Sequence, residues 1–334
     1  MSTKRALVTG GGGFLGLGIV RLLRERGVEV VTLQRGEYPA VAAQGAMSVR
    51  GDVARLDDVR EAARGVDVVF HVAAKAGVWG SPASYVSANI TGTENVLAVC
   101  RELGIQRLVY TSTPSVVHAG DNVEGVDESA PYATEFLTDY PRTKALAEQA
   151  VLAANGPTLS TVALRPHLIW GPGDNHLIPR LVARHRAGRL RLVGDGSNLI
   201  DGVYVDNAAR AHLDAADLLG PGAACAGRAY FITNDEPMPL RDLVNGILGA
   251  AGLPPVTRSV PPGVAYAVGA TLEAVYGLFG VESEPPMTRF VAKQLATAHW
   301  YNIGAARRDL GYRPEVSTAE GLRRLAASFA RDAG

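Results

Sequence analysis

Ala6-Leu-Val-Thr-Gly-Gly-Gly-Gly-Phe-Leu-Gly16 stands near the beginning of the chain and decides how the rest of it is interpreted. Residues 6–9 are apolar enough for a short strand, and apolar side chains recur at helical spacing from Leu15 to about Arg26. Glycines between a strand and a helix let the backbone turn tightly and approach a pyrophosphate, whose charge then faces the free N–H groups of the helix N-terminus. The stretch therefore predicts a strand, a phosphate-binding turn and a helix.

Four consecutive glycines fit two forms of the dinucleotide-binding pattern. One is Gly11-x-Gly13-x-x-Gly16, and the other is Gly10-x-x-Gly13-x-x-Gly16, which follows a Thr-Gly pair. A tight strand–helix turn without a ligand is the alternative for a glycine pattern taken alone. The strand before the turn and the helix after it favour a dinucleotide. The predicted contacts are Gly10, Gly13, Phe14, Leu15 and Gly16.

The composition is that of a globular protein with no polyanionic partner. The chain has 334 residues, of which 47% are hydrophobic and 20% charged, and its 33 Lys and Arg balance 33 Asp and Glu. This balance argues against a nucleic acid as partner. Cys100 and Cys225 lie in apolar surroundings without metal-ligand spacing, so we expect reduced thiols and no metal site. The first strand begins so early that no signal peptide is predicted, and we expect a cytoplasmic protein.

Strands and helices alternate through the first half of the chain, which is typical of an α/β fold with a doubly wound parallel sheet. After the first strand, further strands are predicted at residues 28–33, 46–52, 67–74, 107–113 and 161–166. Beyond residue 170 the pattern becomes mainly helical, with proline-rich joints. We therefore expect a Rossmann-type core over residues 1–170, rejoined by about 200–235, and a smaller, mostly helical C-terminal substrate-binding lid over 171–199 and 236–334.

The end of the second strand distinguishes the two nicotinamide cofactors. An acidic side chain there binds the ribose 2′-hydroxyl of NAD, whereas a nearby cation accommodates the 2′-phosphate of NADP. This chain has Gln34-Arg35 and no carboxylate at that position. Taken alone, Arg35 favours the simpler interpretation of a solvated surface residue. The missing acid together with the cation predicts NADP(H).

The ends of the third and fourth strands supply further candidate contacts. Asp52 is predicted either to accept a hydrogen bond from an adenine amino group or to cap the helix that starts near Leu56. The small residues Ala73 and Ala74 let the nicotinamide half of a cofactor pass close to the backbone. Both sets of residues lie at the carboxyl ends of parallel strands, where ligands bind in such sheets.

Three side chains predict the chemistry. Tyr140 and Lys144 are four residues apart and share one face of a predicted helix, and Thr113 ends the preceding strand. A phenol with an ordinary pKa near ~10 is a sluggish acid at neutral pH, and a nearby ammonium lowers that pKa. An ordinary half-buried tyrosine and a solvated lysine are the alternative for the pair alone. The glycine turn and Thr113 favour a catalytic set in which a carbonyl receives a hydride and Tyr140 supplies the proton.

At this point the chain resembles the extended short-chain dehydrogenase/reductase family, from Arg5 to about Phe329. The segments that carry the resemblance are 9–16, Gly51-Asp52, 71–74, Asn89, 110–113, Tyr140-x-x-x-Lys144 and Arg165-Pro166. The resemblance implies that Tyr140 is the acid–base, that Lys144 holds the nicotinamide ribose and tunes Tyr140, and that Thr113 takes the catalytic Ser/Thr place. It also implies cofactor contacts from Val53, Asn89, Tyr140, Lys144, Pro166 and His167.

Within that family, segments 71–80, 164–174 and 299–303 are similar to the 3β-hydroxysteroid dehydrogenase branch. Pro114-Ser115 stands where sugar-nucleotide dehydratases carry an acid pair, and Ile200 stands where epimerases carry an arginine for the diphosphate. The resemblance implies NADPH-dependent reduction of a lipidic β-keto acid, as in 2-alkyl-3-oxoalkanoate reduction in bacterial olefin biosynthesis. The alternatives are an NAD(P)-dependent steroid or sterol-4-carboxylate 3-dehydrogenase and, less favoured, a non-catalytic dinucleotide sensor. A homodimer through helices of the sheet core is also implied.

The lid is expected to bind the lipidic substrate. Residues 261–281 form the most apolar stretch, but Glu273 and four glycines after Pro262 argue against a spanning helix. We expect a lid helix packed on the core, with an apolar flap that touches a membrane surface or a partner enzyme as the alternative. A substrate carboxylate requires cations or N–H donors. The candidates are Lys75, Arg289, His118, His167 and His176.

Overall fold

The computed structural model describes residues 3–118 and 120–332. The strands are β1 (Arg5–Thr9), β2 (Glu29–Gln34), β3 (Met47–Arg50), β4 (Val68–His71), β5 (Arg107–Thr111), β6 (Val123–Val126), β7 (Ser160–Pro166), β8 (Ile169–Trp170), β9 (Leu192–Val193), β10 (Leu199–Ile200), β11 (Val203–Tyr204), β12 (Arg228–Ile232), β13 (Met238–Pro239), β14 (Ser259–Val260) and β15 (His299–Tyr301).

The α-helices are α1 (Phe14–Glu25), α2 (Pro39–Ala43), α3 (Leu56–Ala62), α4 (Pro82–Tyr85), α5 (Gly92–Glu102), α6 (Asp139–Ala153), α7 (Leu177–Arg186), α8 (Val205–Leu218), α9 (Leu240–Ala250), α10 (Pro262–Leu278), α11 (Arg289–Ala296), α12 (Gly304–Asp309) and α13 (Thr318–Asp332). A π-helical turn over Val86–Thr91 joins α4 to α5, and a short 3₁₀ turn over Pro114–Val116 follows β5.

The central sheet has seven strands in the order β12-β7-β5-β4-β1-β2-β3, and every neighbouring pair is parallel. Leu7 of β1 stands between Val31 and Val69 of its two neighbours. The strand order reverses between β1 and β4, which is where open sheets of this type bind ligands. The predicted doubly wound parallel sheet is confirmed, and the glycine turn lies at its switch point.

Helices cover both faces of this sheet, because its inner strands are apolar on both sides. On one face α1 packs with α8, and Ile19 and Ala209 belong to the same buried cluster. On the other face α3, α5 and α6 supply Val59, Val99 and Val151 to a second cluster. Both free cysteines are buried, and burial raises the pKa of the Cys100 thiol to about 12, so this thiol remains protonated and unreactive.

Two predicted strands are shorter in the structure than the sequence indicates. The fourth strand was predicted over 67–74, but β4 ends at His71. Beyond it the hydroxyl of Thr9 accepts hydrogen bonds from the N–H groups of Val72 and Ala73, each at 3.1 Å. The fifth strand was predicted over 107–113, but β5 ends at Thr111. The N–H of Ser112, just beyond β5, still donates to the carbonyl of Leu164 on β7 at 2.6 Å.

The C-terminal part contains more strand than the sequence predicted. β6 pairs with β15 inside the four-stranded sheet β13-β10-β15-β6, and β14 pairs with β9. The region over residues 119–139 was expected to be a loop, and the region after 239 was expected to be helical. The strands are two to four residues long, so they carry too little periodicity to be recognised locally. Their partners lie far along the chain.

Helix α10 departs from the expectation of a helix packed on the core. Of its residues only Ala265 and Gly269 are buried, while Val264, Val268 and Val275 are exposed. Within the described ranges, no helix has the length and hydropathy that crossing a bilayer requires.

Candidate active site

The glycine turn is built by contacts that leave no room for side chains. Gly10 has a φ of +69°, and a Cβ added there would lie 2.9 Å from the Cα of Ala73. A Cβ on Gly16 would lie 2.2 Å from the carbonyl oxygen of Gly10. Gly13 is the N-cap residue of α1, and no side chain caps that end of the helix or places an acid in its first turn. The N–H groups that begin α1, including those of Phe14 and Leu15, therefore suit a pyrophosphate.

The end of β2 is neutral and is flanked by two arginines. Gln34 is buried; its Oε1 accepts the N–H of Gly12 and its Nε2 donates to the hydroxyl of Ser48, both at 2.9 Å. Arg35 is exposed. Arg50, which the sequence analysis missed, is also exposed and is the register partner of Gln34 across β2 and β3. Finding it requires the strand register, because it lies 16 residues from Gln34 in the sequence.

Asp52 and Val53 lie in the loop between β3 and α3. The Asp52 carboxylate accepts the N–H of Ala54 at 3.0 Å, and its own N–H donates to the carboxylate of Asp58 at 2.8 Å. The N-cap residue of α3 is Arg55. One of the two roles predicted for Asp52, capping α3, is therefore wrong. Its hydrogen bonds instead stabilise the loop before the helix. Val53 is buried against the α5 side of the sheet.

A series of hydrogen bonds between buried polar side chains links the strands at the switch point. The Thr9 hydroxyl contacts Nδ1 of His71 at 2.8 Å, and Nε2 of His71 contacts the hydroxyl of Thr93 at 3.0 Å. The Thr93 hydroxyl donates to the carbonyl of Asn89 at 2.7 Å. Burial, aided by the charge of Lys144, lowers the pKa of His71 to about 3, so its ring is neutral. The series is therefore a fixed link between the ends of β1 and β4 and the π-helical turn.

Asn89 extends this link to the predicted catalytic helix. Its Oδ1 accepts the N–H of Lys75 at 2.7 Å, and its Nδ2 donates to the carbonyl of Lys75 at 3.2 Å and the hydroxyl of Thr143 at 3.0 Å. Thr143 lies on α6 between Tyr140 and Lys144. Asn89 thus connects the loop that carries Ala73 and Ala74 with α6, and π-helical turns such as this one are frequent at functional sites.

Thr113, Tyr140 and Lys144 converge where β5 ends and α6 begins. The Lys144 ammonium donates to the carbonyl of Thr111 at 2.6 Å and lies 4.1 Å from the centre of the Tyr110 ring. Burial lowers the pKa of Lys144 to about 7, against the raising effect of Glu148. The Thr113 hydroxyl accepts the N–H of Ser115 at 3.3 Å.

The pKa of Tyr140 differs from the sequence expectation. Burial raises the pKa of Tyr140, and the hydrogen bond with Thr113 opposes that rise. Lys144 does not lower the pKa of Tyr140 as the sequence predicts. Its ammonium instead contacts the Thr111 carbonyl and the Tyr110 ring. Tyr140 is therefore protonated at neutral pH and can act as an acid towards an oxygen held by Thr113.

Pro166 ends β7, and His167 begins a stack of buried histidines. Nδ1 of His167 contacts the buried carboxylate of Asp201 at 2.7 Å. Its ring lies edge-on to that of His299 at 4.9 Å between centres, and His299 lies 5.7 Å from His118. Burial lowers the pKa of His118 to about 4 and that of His299 to about 3. His118 is therefore neutral at physiological pH and brings no full charge to a carboxylate.

The other candidates for the substrate carboxylate are separated. Arg289 pairs with Glu273 at 2.6 Å. Both line a cavity of about 520 Å³ that reaches Asp139, the first residue of α6. The ammonium of Lys75 lies 5.0 Å from the ring centre of Tyr85. His176 lies in a second cavity within the lid. Of the five candidates, Arg289 is the one that lines the cavity reaching the first residue of α6.

Comparison with known proteins places this geometry in a family. The model of the 3-beta hydroxysteroid dehydrogenase/isomerase family matches residues 7–261. The chain is 56% identical to a 2-alkyl-3-oxoalkanoate reductase of Stenotrophomonas maltophilia (strain K279a), over 98% of this chain and 99% of the relative. It is 35% identical to the decarboxylating sterol-4-alpha-carboxylate 3-dehydrogenase of Mus musculus, over 98% of this chain and 91% of that enzyme.

Solved structures agree on the architecture. MoeE5 in complex with UDP-glucose and NAD superposes with a TM-score of 0.75 and 25% sequence identity, over 99% of this chain and all of that one. The relatives are oxidoreductases, and the uncapped glycine turn suits the nicotinamide dinucleotide that they use. The chain therefore belongs to the 3-beta hydroxysteroid dehydrogenase/isomerase family, within the extended short-chain dehydrogenases and reductases.

Proposed function

We propose that the chain is an NADPH-dependent reductase of a lipidic β-keto acid, converting a 2-alkyl-3-oxoalkanoate to the 2-alkyl-3-hydroxyalkanoate. The observation that carries the proposal is the convergence of Thr113, Tyr140 and Lys144 beside the glycine turn. The substrate class is supported by 56% identity over nearly the whole length of a 2-alkyl-3-oxoalkanoate reductase.

The residues divide the reaction into binding and proton transfer. The N–H groups at the beginning of α1 would hold the pyrophosphate of NADPH, and its reduced nicotinamide would supply the hydride for the C3 carbonyl. Thr113 donates a hydrogen bond from its hydroxyl to the C3 oxygen and so fixes the position of the carbonyl. Tyr140 transfers its phenolic proton to the same oxygen as negative charge develops there.

Lys144 is assigned the nicotinamide ribose hydroxyls. Asn89 positions α6 relative to the loop after β4, and the cofactor contacts proposed for Gly10, Gly13, Gly16, Ala73 and Ala74 surround the same switch point. Asp52, Val53, Pro166 and His167 complete the proposed cofactor site. Asp52 accepts the N–H of Ala54 through Oδ1, and its other carboxylate oxygen is proposed to accept the adenine amino group.

The pH dependence of kcat/KM tests the charge of Lys144. Burial lowers the pKa of Lys144 to about 7, so the ammonium is lost as pH rises through that value. We expect kcat/KM for reduction to be highest below pH 7 and to fall above it, because kcat/KM reports the pKa values of the free enzyme. A Lys144→Arg variant keeps its charge, so its falling limb should move to alkaline pH. An unmoved limb would show that another group titrates.

The preference for NADPH is assigned to Arg35 and Arg50. Both guanidinium groups are exposed beside the neutral Gln34, and hydrogen bonds to charged groups contribute about 1.5–3 kcal/mol each. An Arg35→Ala/Arg50→Ala variant should raise the Kd for NADPH by about tenfold or more and leave the Kd for NADH within about twofold. Fluorescence titration measures both constants, with the exposed Arg101→Ala as the matched control. Equal loss for the two cofactors would contradict the assignment.

The leading alternative is oxidation of a sterol-4-carboxylate, which the 35% identity to the mouse enzyme favours. Both substrates contain a carboxylate beside the reacting carbon. They differ in the direction of the reaction, so a paired assay separates them. Purified protein is offered NADPH with a freshly hydrolysed 2-alkyl-3-oxo acid, and in parallel NAD or NADP with a sterol-4-carboxylate. Consumption of NADPH with the first substrate supports the reductase, whereas turnover of the sterol alone would transfer the function to the alternative.

The same proposal includes the organisation of the chain. We assign dinucleotide binding to residues 1–170 with about 200–235, and the lidded substrate site to 171–199 and 236–334. We further propose a homodimer through helices of the sheet core, where Leu146 on α6 is exposed, and a cytoplasmic location. Sedimentation analysis of the wild type and of Leu146→Glu tests the dimer, and cell fractionation tests the location.

A further inference from the structure

The lid contains a large apolar cavity of its own. Its volume is about 770 Å³, and it lies between α7, α9, α10 and α11. Cavities of roughly 300–1,000 Å³ are the size that encloses small-molecule ligands. Most of the wall is aliphatic, with side chains such as Leu181, Val244 and Leu295. We call this space the lid cavity.

Helix α10 separates the lid cavity from the cavity that reaches Asp139. The α10 side chains that line the lid cavity are Val264, Ala265, Val268 and Leu272. Those that line the other cavity are Ala270, Glu273 and Ala274. At about 100° per residue, the two sets occupy two arcs of roughly 100° on opposite sides of the helix. The two cavities therefore lie about one helix diameter apart, ~10 Å.

One charged group in the wall of the lid cavity lacks a counter-charge. Arg184 is partly buried there, and its Nη2 donates to the carbonyl of Pro286 at 2.6 Å. Glu284 pairs with the neighbouring Arg180 at 2.7 Å. Within residues 3–118 and 120–332, no carboxylate lies in ion-pair contact with Arg184. Burial and the charge of Arg180 lower the pKa of Arg184, so its surroundings disfavour the charge. A bound anion would offset that cost.

The sequence concentrates positive charge at the same wall. Between Asp174 and Asp195 the chain has five arginines and no acidic residue. Arg189 and Arg191 line the lid cavity together with Arg184. An aliphatic cavity with its cations in one segment is complementary to a molecule that has a hydrocarbon chain and one anionic end. A guanidinium binds a carboxylate through two parallel hydrogen bonds, so a carboxylate suits that end.

We propose that the lid cavity binds a long-chain carboxylate, with the carboxylate on Arg184 and the hydrocarbon chain between α7, α9, α10 and α11. From Val264 to Leu272 the wall covers about 12 Å along α10, at 1.5 Å per residue, which gives room for several methylenes. A free fatty acid and the acids of the proposed reaction share this chemistry. The inference does not depend on the reaction assigned to the active site, and its test requires no turnover.

Calorimetric titration of the whole protein with decanoate tests the site. Because each buried methylene strengthens binding by up to about fourfold, hexanoate should bind at least about tenfold more weakly. Arg184→Met keeps an unbranched apolar side chain and removes the charge. It should raise the Kd for decanoate about tenfold or more and leave that for 1-decanol within about twofold. Arg186→Met, the same change at an exposed position of α7 outside the cavity, should bind decanoate like the wild type.

Three further variants locate the ligand. Val268→Asp puts a carboxylate into the wall of the lid cavity and should raise the Kd for decanoate at least about tenfold. Val275→Asp changes a similarly exposed valine outside both cavities, 42% exposed against 47% for Val268, and should leave the Kd unchanged. Ala274→Trp fills the cavity on the other side of α10 and should also leave it unchanged.

A branched acid identifies the source of the ligand. 2-Butylhexanoate has as many carbons as decanoate and carries the branch of a 2-alkyl acid. Tighter binding of decanoate supports a free fatty acid as the natural ligand, whereas tighter binding of the branched acid supports a substrate or product of the proposed reaction. The proposal is overturned if decanoate does not bind, if Arg184→Met binds it as Arg186→Met does, or if Ala274→Trp abolishes binding.

Discussion

Replacing Tyr140 with Phe is expected to lower kcat for keto-acid reduction by about 10²- to 10⁴-fold, which is the usual contribution of a positioned general acid. In the proposed mechanism the phenol supplies the proton to the C3 oxygen, and Thr113 is the side chain that opposes the rise in the pKa of Tyr140. The substitution removes one oxygen and keeps the ring that packs at the beginning of α6. The Kd for NADPH should therefore stay within about twofold.

Stopped-flow measurement of a single turnover, with a parallel titration of NADPH, separates the two effects. Tyr276→Phe, a change of the same kind on α10, should leave both constants unaltered. If Tyr140→Phe weakened NADPH binding as much as it slowed reduction, the slower reduction would come from lost cofactor binding and not from lost proton transfer. Unaltered kcat would remove Tyr140 from the mechanism.

Replacing Glu148 with Ala is expected to cost about 3–5 kcal/mol of unfolding free energy, the usual penalty for removing one partner of a buried ion pair. Glu148 lies on α6 one turn beyond Lys144 and is fully buried. Its carboxylate accepts from Nη2 of Arg165 at 2.5 Å, from Nε of Arg165 at 3.0 Å and from the hydroxyl of Tyr132 at 2.7 Å. Without it, the buried guanidinium of Arg165 loses the carboxylate that forms its hydrogen-bonded ion pair.

Urea unfolding measures the loss, and two further variants define its cause. Glu25→Ala removes an exposed carboxylate from a surface pair with Arg21 and should hardly move the midpoint. Glu148→Ala/Arg165→Met removes both charges and should recover much of the loss. An equal midpoint for Glu148→Ala and Glu25→Ala would show that the buried pair contributes no more than a surface pair.

The parts of the fold that could be predicted are those whose signal is local. The strand before Gly10, the helix after Gly13 and the alternation through β7 depend on periodicity within about a dozen residues. α1 begins one residue before the predicted position and ends one residue before Arg26. The Tyr140–Lys144 spacing is local in the same sense, because one helical turn determines it.

The parts that escaped prediction depend on pairing between distant segments. Arg50 adjoins Gln34 only through the register of β2 and β3. The link from Thr9 through His71 to Thr93 joins three separate elements. β6 is recognisable only beside β15, more than 170 residues later. For α10, the high apolar content indicates burial, and no local pattern indicates that Val264, Val268 and Val275 are exposed.

The pKa of Tyr140 illustrates the same limit. Spacing places Lys144 on the same helix face, but the ammonium contacts the Thr111 carbonyl on β5, which only the packing of α6 against the sheet reveals. Burial, a property of the whole fold, then dominates the pKa of the phenol.

The most direct test of the account follows the hydride itself. Wild-type protein is incubated with NADPH carrying deuterium at both C4 positions of the nicotinamide and with a long-chain 2-alkyl-3-oxo acid, and the product is examined by mass spectrometry. We expect the wild type to form a 2-alkyl-3-hydroxy acid that contains one deuterium on C3, and Tyr140→Phe not to form it. A product without deuterium, or product formation that is equal in the two proteins, would contradict it.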